Sequence, residues 1–158
     1  MTLEVGPPDA PRRLAFGADH AGRALKDHLA HLAQDAGWQV LDLGTTGDAS
    51  VDYPDFGADV GRAVMDGRAD LGVLVCGTGI GISIAANKVP GVRAAVAHDA
   101  FTAHYSRAHN DANVLCLGSR VVGEGVAETV LATFLATAFE GGRHARRVEK
   151  ISAIEEDA

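Results

Sequence analysis

Hydrophobic residues along the 158-residue chain follow two alternating spacings. Short, nearly unbroken apolar runs occur at residues 13–17 (RLAFG), 39–43, 71–75 (LGVLV), 93–97 and 113–117. Each has the length of a strand, and LGVLV, without any alternation, predicts a central strand buried on both faces. Between them the spacing becomes helical. Ala21, Leu25, Leu29, Leu32 and Ala36 share one helical face within residues 21–37, and Phe56, Val60 and Val64 another within 54–66. Further helices are predicted at 80–87, 100–108 and 124–139. The EGGR sequence at 140–143 breaks the last of these before a final helical stretch at 144–155.

Five strands alternating with helices predict an α/β protein: a three-layer α/β/α, Rossmann-like, doubly wound sandwich around a five-stranded parallel sheet. Each parallel neighbour must be reached through a right-handed helical crossover. The length suits a single domain, expected over residues 13–158. Residues 1–12, with Pro7, Pro8, Pro11, Glu4 and Asp9 but no apolar core, read as a frayed extension rather than a secretory signal.

Composition then removes several classes of function. At 47% hydrophobic and 22% charged residues, the chain falls in the globular range. No uncharged apolar run reaches the eighteen or so residues needed to cross a bilayer. Fourteen Lys and Arg against twenty-one Asp and Glu give a net charge of −7, which repels nucleic acid and anionic lipid at long range. Any anionic ligand must therefore meet a local basic cluster. Cys76 and Cys116 show no Cys-x-x-Cys or Cys/His ligand spacing, so neither a disulfide scaffold nor a zinc site is expected, and a reducing, cytoplasmic setting is.

In open parallel sheets ligands collect beyond the carboxyl ends of the strands. Asp19 and His20 follow the first strand, Cys76 to Gly81 (CGTGIG) follow the third, and His109, Asn110 and Asp111 immediately precede the fifth; these three polar clusters are expected to share one edge. The loop is the most informative. Gly77, Gly79 and Gly81 leave backbone N–H groups uncovered where a helix begins, which suits an anion or a developing oxyanion. The same field favours a thiolate at Cys76, although a free cysteine is by default a small buried apolar residue. A nucleotide loop is the bland alternative, but Gly-Thr-Gly-Ile-Gly-Ile lacks the third glycine of G-x-G-x-x-G and the Walker lysine. Cys116, inside a strand, reads as structural. His20 and His109 are candidates because imidazole titrates near neutrality, whereas His28, His31, His98 and His104 match no H-E-x-x-H signature and receive no role. Arg143 and Arg147, four apart, could present two guanidinium groups to a phosphate; a solvated basic face is the alternative.

Taken together, AFGADHAG (15–22), DYPDFG (52–57), CGTGIGISIAANKVPGVRAA (76–95), RAHNDANVLCLGSRVVG (107–123) and EGGRHARRV (140–148) resemble the type B ribose-5-phosphate isomerases of the ribose/galactose sugar-phosphate isomerase family, over residues 13–154. The resemblance implies a metal-independent, cofactor-free aldose–ketose isomerase. It casts Cys76 as the base that moves a proton between C1 and C2 of the open-chain sugar, and His109 as the group that opens the furanose ring, with Asp52 and Tyr53 assisting. It further implies that Asp19 and His20 contact substrate, that the loop Gly77, Thr78, Gly79, Ile80 and Gly81 holds the enediolate oxygens with the Thr78 hydroxyl, and that Asn110 binds a sugar hydroxyl. Arg120, Arg143 and Arg147, with His20, would receive the phosphate. The last arginines are implied to reach the site across an interface, in a homodimer or tetramer. One branch of the family lacks the cysteine and uses a glutamate where this chain has Ile82, so the cysteine branch applies.

Three alternatives stand beside this reading. The first keeps the chemistry and changes the sugar, to galactose 6-phosphate, allose 6-phosphate or a four-carbon erythrulose phosphate. The second is a non-catalytic, flavodoxin-like module that binds a nucleotide. The third is a thiol redox sensor at Cys76.

Overall fold

The computed structural model describes residues 12–158; residues 1–11 of the expected extension lie outside them. The described chain runs β1 (Arg13–Ala18), α1 (Arg23–Asp35), β2 (Gln39–Asp42), α2 (Tyr53–Met65), β3 (Leu71–Cys76), α3 (Ile80–Ala86), β4 (Ala94–Val96), α4 (Ala100–Ala108), β5 (Val114–Gly118), α5 (Glu124–Ala136) and α6 (Arg143–Glu156). The five strands form one parallel sheet in the order β2-β1-β3-β5-β4. The α/β sandwich expected from the alternating spacings is therefore the observed architecture.

Alternate residues of each central strand enter two separate cores. Leu14, Phe16, Val73, Val75, Leu115 and Leu117 pack against Leu25 and Leu29 of α1, Ala103 of α4, and Val130, Leu131 and Phe134 of α5. Ala15, Leu74, Val114 and Cys116 meet Val60 and Ala63 of α2 and Ile82 and Ala86 of α3. Burial of both faces explains why LGVLV shows no alternation.

Strand order follows from handedness. The crossovers through α1 and α4 step one way along the sheet and cover one face; those through α2 and α3 step the other way and cover the opposite face. The chain thus leaves β1 and β3, which are neighbours, toward opposite faces. That divergence opens a crevice beyond their carboxyl ends, the topological switch point of the sheet.

One element is shorter than its spacing predicts. α5 ends at Ala136 rather than at residue 139, because Thr137 turns to an extended conformation (φ −95°, ψ 126°) while its hydroxyl bonds back to the Thr133 carbonyl at 2.7 Å. The released segment carries the Glu140 N–H to the Ala108 carbonyl at the end of α4, at 3.0 Å. This docking sets where α6 begins.

Candidate active site

A cavity of about 570 Å³ opens at the switch point, lined by Asp19, His20, Tyr53, Cys76, Gly77, Thr78, Ile80, Gly81 and Arg120. β3 delivers Cys76 to its floor, where the residue is 4% exposed. The sulfur accepts the Gly79 N–H at 3.2 Å. Gly79 closes this tight turn with φ 79°, a left-handed conformation that a side chain would strain. Thr78 Oγ1 accepts the Ile80 N–H at 3.3 Å. The N–H groups of Gly77, Thr78 and Gly81, in contrast, donate to no protein acceptor among the described residues. Three unpaired donors beside a thiol form an oxyanion-type cradle.

Neighbouring elements hold the cradle in place. At the end of β5, Gly118 lies so close that a Cβ there would stand 2.6 Å from the Thr78 carbonyl carbon. The Ser119 N–H donates to the Cys76 carbonyl (2.9 Å), and its hydroxyl donates to the Ala21 carbonyl (2.8 Å), which ties together the ends of β1, β3 and β5. His98 Nε2 accepts the Gly118 N–H at 3.0 Å.

Asp19 is buried, and its carboxylate accepts the Gly22 N–H at 3.0 Å where α1 begins. His20 Nδ1 accepts the Val51 N–H at 3.2 Å, which leaves Nε2 as the protonated nitrogen of its neutral ring. The Tyr53 ring lies over Gly81, and the Arg120 guanidinium lies beside Gly77. Asp52, at the N-cap of α2, is exposed and does not line the cavity.

The remaining candidates lie elsewhere. His109 ends α4 and Asn110 follows it, ahead of Val114 where β5 begins. In a parallel sheet, residues that precede a strand sit at the edge opposite to residues that follow one. The expectation that the His109 cluster shares the Cys76 edge is therefore corrected: it failed because position relative to a strand end was read without strand direction. Arg143 and Arg147 belong to this second group. Their helix begins beside His109, whose ring stacks on His144 at 4.0 Å with 12° between planes.

At this edge Asp111 adopts a left-handed φ of 47°, its carboxylate held by Arg93 at 3.2 Å and Arg107 at 3.0 Å. Burial first, then the neighbouring His109, Arg143 and Arg147, hold the His144 pKa below its ordinary value, with Glu140 opposing them.

Cys116 is fully buried, and burial pushes its thiol well above the ordinary range. It pairs with Leu74 while Cys76 pairs with Gly118, so the two cysteines are diagonal neighbours. A two-residue offset of about 6.6 Å along the strand and about 4.8 Å across it puts their Cα atoms about 8 Å apart, beyond the reach of a disulfide. The redox-sensor alternative loses its resolving partner.

Sequence reasoning missed Ala21 and Ile84 among the lining residues, and the supporting roles of Ser119 and His98. Ile84 carried a signal: with Ile80 it forms an exposed apolar pair one turn apart on α3, whose other face, Ile82, Ser83 and Ala86, is buried. Among the described residues no helix is long and apolar enough to cross a membrane.

The motifs and the fold agree with comparisons to known proteins. Ribose-5-phosphate isomerase B of Escherichia coli is 49% identical over 146 residues, covering 92% of this chain and 97% of that protein. D-erythrulose-4-phosphate isomerase of Pectobacterium atrosepticum is 42% identical over 144 residues, covering 90% and 94%. The structure of ribose-5-phosphate isomerase B from Clostridium thermocellum superposes with a TM-score of 0.91 at 52% identity, covering 92% and 98%. The model of the Ribose/Galactose Isomerase family matches residues 14–151, and the chain belongs to that family.

Proposed function

We propose that this protein interconverts ribose 5-phosphate and ribulose 5-phosphate in the cytoplasm, using one domain over residues 13–158 that works as a homodimer with shared sites. The observation that carries the reading is the Cys76 sulfur beside the unpaired Gly77, Thr78 and Gly81 N–H groups, in a cavity at the switch point. A proton on carbon beside a carbonyl is weakly acidic, so a catalyst must supply both a base and a means of stabilising the enediolate. Cys76 takes the proton from C2 of the open-chain aldose and returns it to C1, while the O2 hydroxyl proton passes to O1. The free amides and the Thr78 hydroxyl receive the charge that develops on the oxygens, each well-aimed donor contributing about 3 kcal/mol.

Asp19 and His20 orient the sugar, Tyr53 of the cavity wall assists ring opening, for which Asp52 is placed outside the cavity, and Arg120 meets the phosphate. His109, the ring-opening group, Asn110, for a sugar hydroxyl, and Arg143 and Arg147, for the phosphate, lie at the wrong edge to serve the Cys76 of their own chain. A two-fold dimer answers this, because it presents the second edge of each chain to the first edge of its partner, with α6 reaching across. The phosphate takes no part in the proton transfer; its binding energy positions C1 and C2.

The deciding experiment is an isomerase assay on ribose 5-phosphate together with galactose, allose and erythrulose phosphates, read with solvent-deuterium incorporation at C2. The expected result is the highest kcat/KM for ribose 5-phosphate, with incorporation. A preference for the four-carbon sugar would keep the mechanism and change the substrate, a reading favoured by the likeness to the erythrulose-4-phosphate enzyme. Saturable nucleotide binding without C2 exchange would replace the isomerase with a flavodoxin-like binding module.

A further inference from the structure

We infer that His109, Glu140 and His144 form a site for a borderline-soft divalent cation such as Zn²⁺, and that its occupancy reversibly silences the enzyme. One ligand atom from each residue lies within 4.8 Å of the other two. Glu140 Oε2 stands 3.8 Å from His109 Nε2 and 3.6 Å from His144 Nε2. In a tetrahedral zinc site, with bonds of about 2.1 Å, ligand atoms stand about 3.4 Å apart. Both carboxylate–imidazole separations therefore need to contract by only a few tenths of an ångström.

The backbone that carries the three ligands is already tied down. Glu140 N–H donates to the Ala108 carbonyl beside His109, and His144 N–H donates to the Gly141 carbonyl, both at 3.0 Å. The His144 side chain is 8% exposed, and Glu140, exposed, is free to adjust. Coordination requires one rearrangement. The lone pairs lie in the ring planes, so the near-parallel stack must open by a rotation about χ2, a broad and soft torsion for histidine. Two imidazoles and one carboxylate with a fourth position open make up the ligand set of a zinc site accessible to water or substrate. Arg143 and Arg147 nearby oppose a dication, which points to reversible rather than permanent occupancy.

The sequence hides this cluster, since Glu140 and His144 are four apart but His109 lies thirty-one residues earlier. The inhibitory consequence rests on the isomerase reading, in which the His109 ring acts in ring opening. A cation bound at Nε2 occupies the lone pair that reaction uses.

The test titrates Co²⁺ into the full-length protein, follows its visible d–d bands, and displaces it with Zn²⁺. One ion per chain should bind with bands stronger than those of the aqua ion. Affinity should fall at least tenfold in both Glu140→Gln and His144→Gln and stay unchanged in Cys76→Ala. Zn²⁺ should inhibit ribose 5-phosphate turnover, and a chelator should restore it. Equal affinity in the Glu140 and His144 variants, or binding lost in Cys76→Ala together with a thiolate-to-cobalt charge-transfer band, would overturn the site. Tight binding without inhibition would overturn the silencing. A protein with no isomerase activity would strike the functional reading alone, because the Co²⁺ spectrum is read without turnover.

Discussion

The two ends of the sheet differ in how they hold their polar residues, and the proposed mechanism gives each one half of the chemistry. At the carboxyl edge, strands β1, β3 and β5 end together, and short loops bonded to one another hold Cys76 and its amides. At the amino edge, His109, Asn110, Arg143 and Arg147 lie at or near helix ends joined by the stacking of His109 on His144 and by Glu140, which stands near both imidazoles. In the proposed mechanism the first edge supplies the proton-transfer group and the second the ring-opening group. Strand ends tied to one another suit the step that needs the closest positioning. The difference teaches that candidate residues gathered by one set of motifs can fold to opposite ends of a single chain.

The strongest test of this division removes one half at a time. Cys76→Ala should lower kcat for ribose 5-phosphate by about 10²–10⁴-fold with little change in KM, and His109→Ala should also reduce turnover of the cyclic substrate. Refolded as an equal mixture, the two variants should recover about a quarter of native activity. Half the dimers would then be mixed, and each mixed dimer would hold one intact site. No recovery would mean that each chain works alone.

A smaller effect is expected from the two α6 arginines proposed to receive the phosphate. Arg143→Ala or Arg147→Ala should lower kcat/KM by about 10- to 100-fold, the scale of one charge-assisted hydrogen bond. Deuterium exchange with a neutral, unphosphorylated sugar should be unaffected, and steady-state kinetics on both substrates checks the contrast.

Gly118→Ala strikes the other edge through packing. A Cβ 2.6 Å from the Thr78 carbonyl carbon must displace the cradle, at a cost of about 1–3 kcal/mol. Thermal denaturation should show a lowered Tm and kinetics a lowered kcat, while Co²⁺ affinity at the opposite edge should not move.

The smallest effect concerns the Arg13–Asp70 ion pair at the start of the sheet. Burial raises the Asp70 pKa, but hydrogen bonds and charge from Arg13 outweigh it and hold the carboxyl below its ordinary value. A depressed folded pKa gives stability that is present above the unfolded value, near pH 4, and is lost as pH falls through the folded one. Asp70→Asn should therefore destabilise by less than about 1 kcal/mol at pH 7, since the pair is half-exposed. Urea melts should show the difference vanishing in strong acid.

The chain's own spacings made most of the elements legible. The run at 71–75 showed its burial because both faces of β3 are covered, and the Ala21 to Ala36 register showed its helix because only one face of α1 is. Cys76 and its glycines were legible because a strand, a tight turn and a helix start are local events. The end of α5 was not, since Thr137 leaves the helix to serve a contact with Ala108, twenty-nine residues earlier in the chain. The edge occupied by His109 was misjudged for a related reason. Proximity to a strand in sequence does not say which end of the sheet is meant.

What the sequence determined by itself was therefore the set of elements, the family and the chemical character of the Cys76 loop, because each depends on residues within a few positions of one another. Only the tertiary structure decided the order β2-β1-β3-β5-β4, the crevice between β1 and β3, the Gly77, Thr78 and Gly81 amides left without partners among the described residues, and the gathering of His109, Glu140 and His144 at the far edge. These depend on which way each crossover turns and on contacts between distant segments, and the energy of such contacts is absent from any local window of the chain.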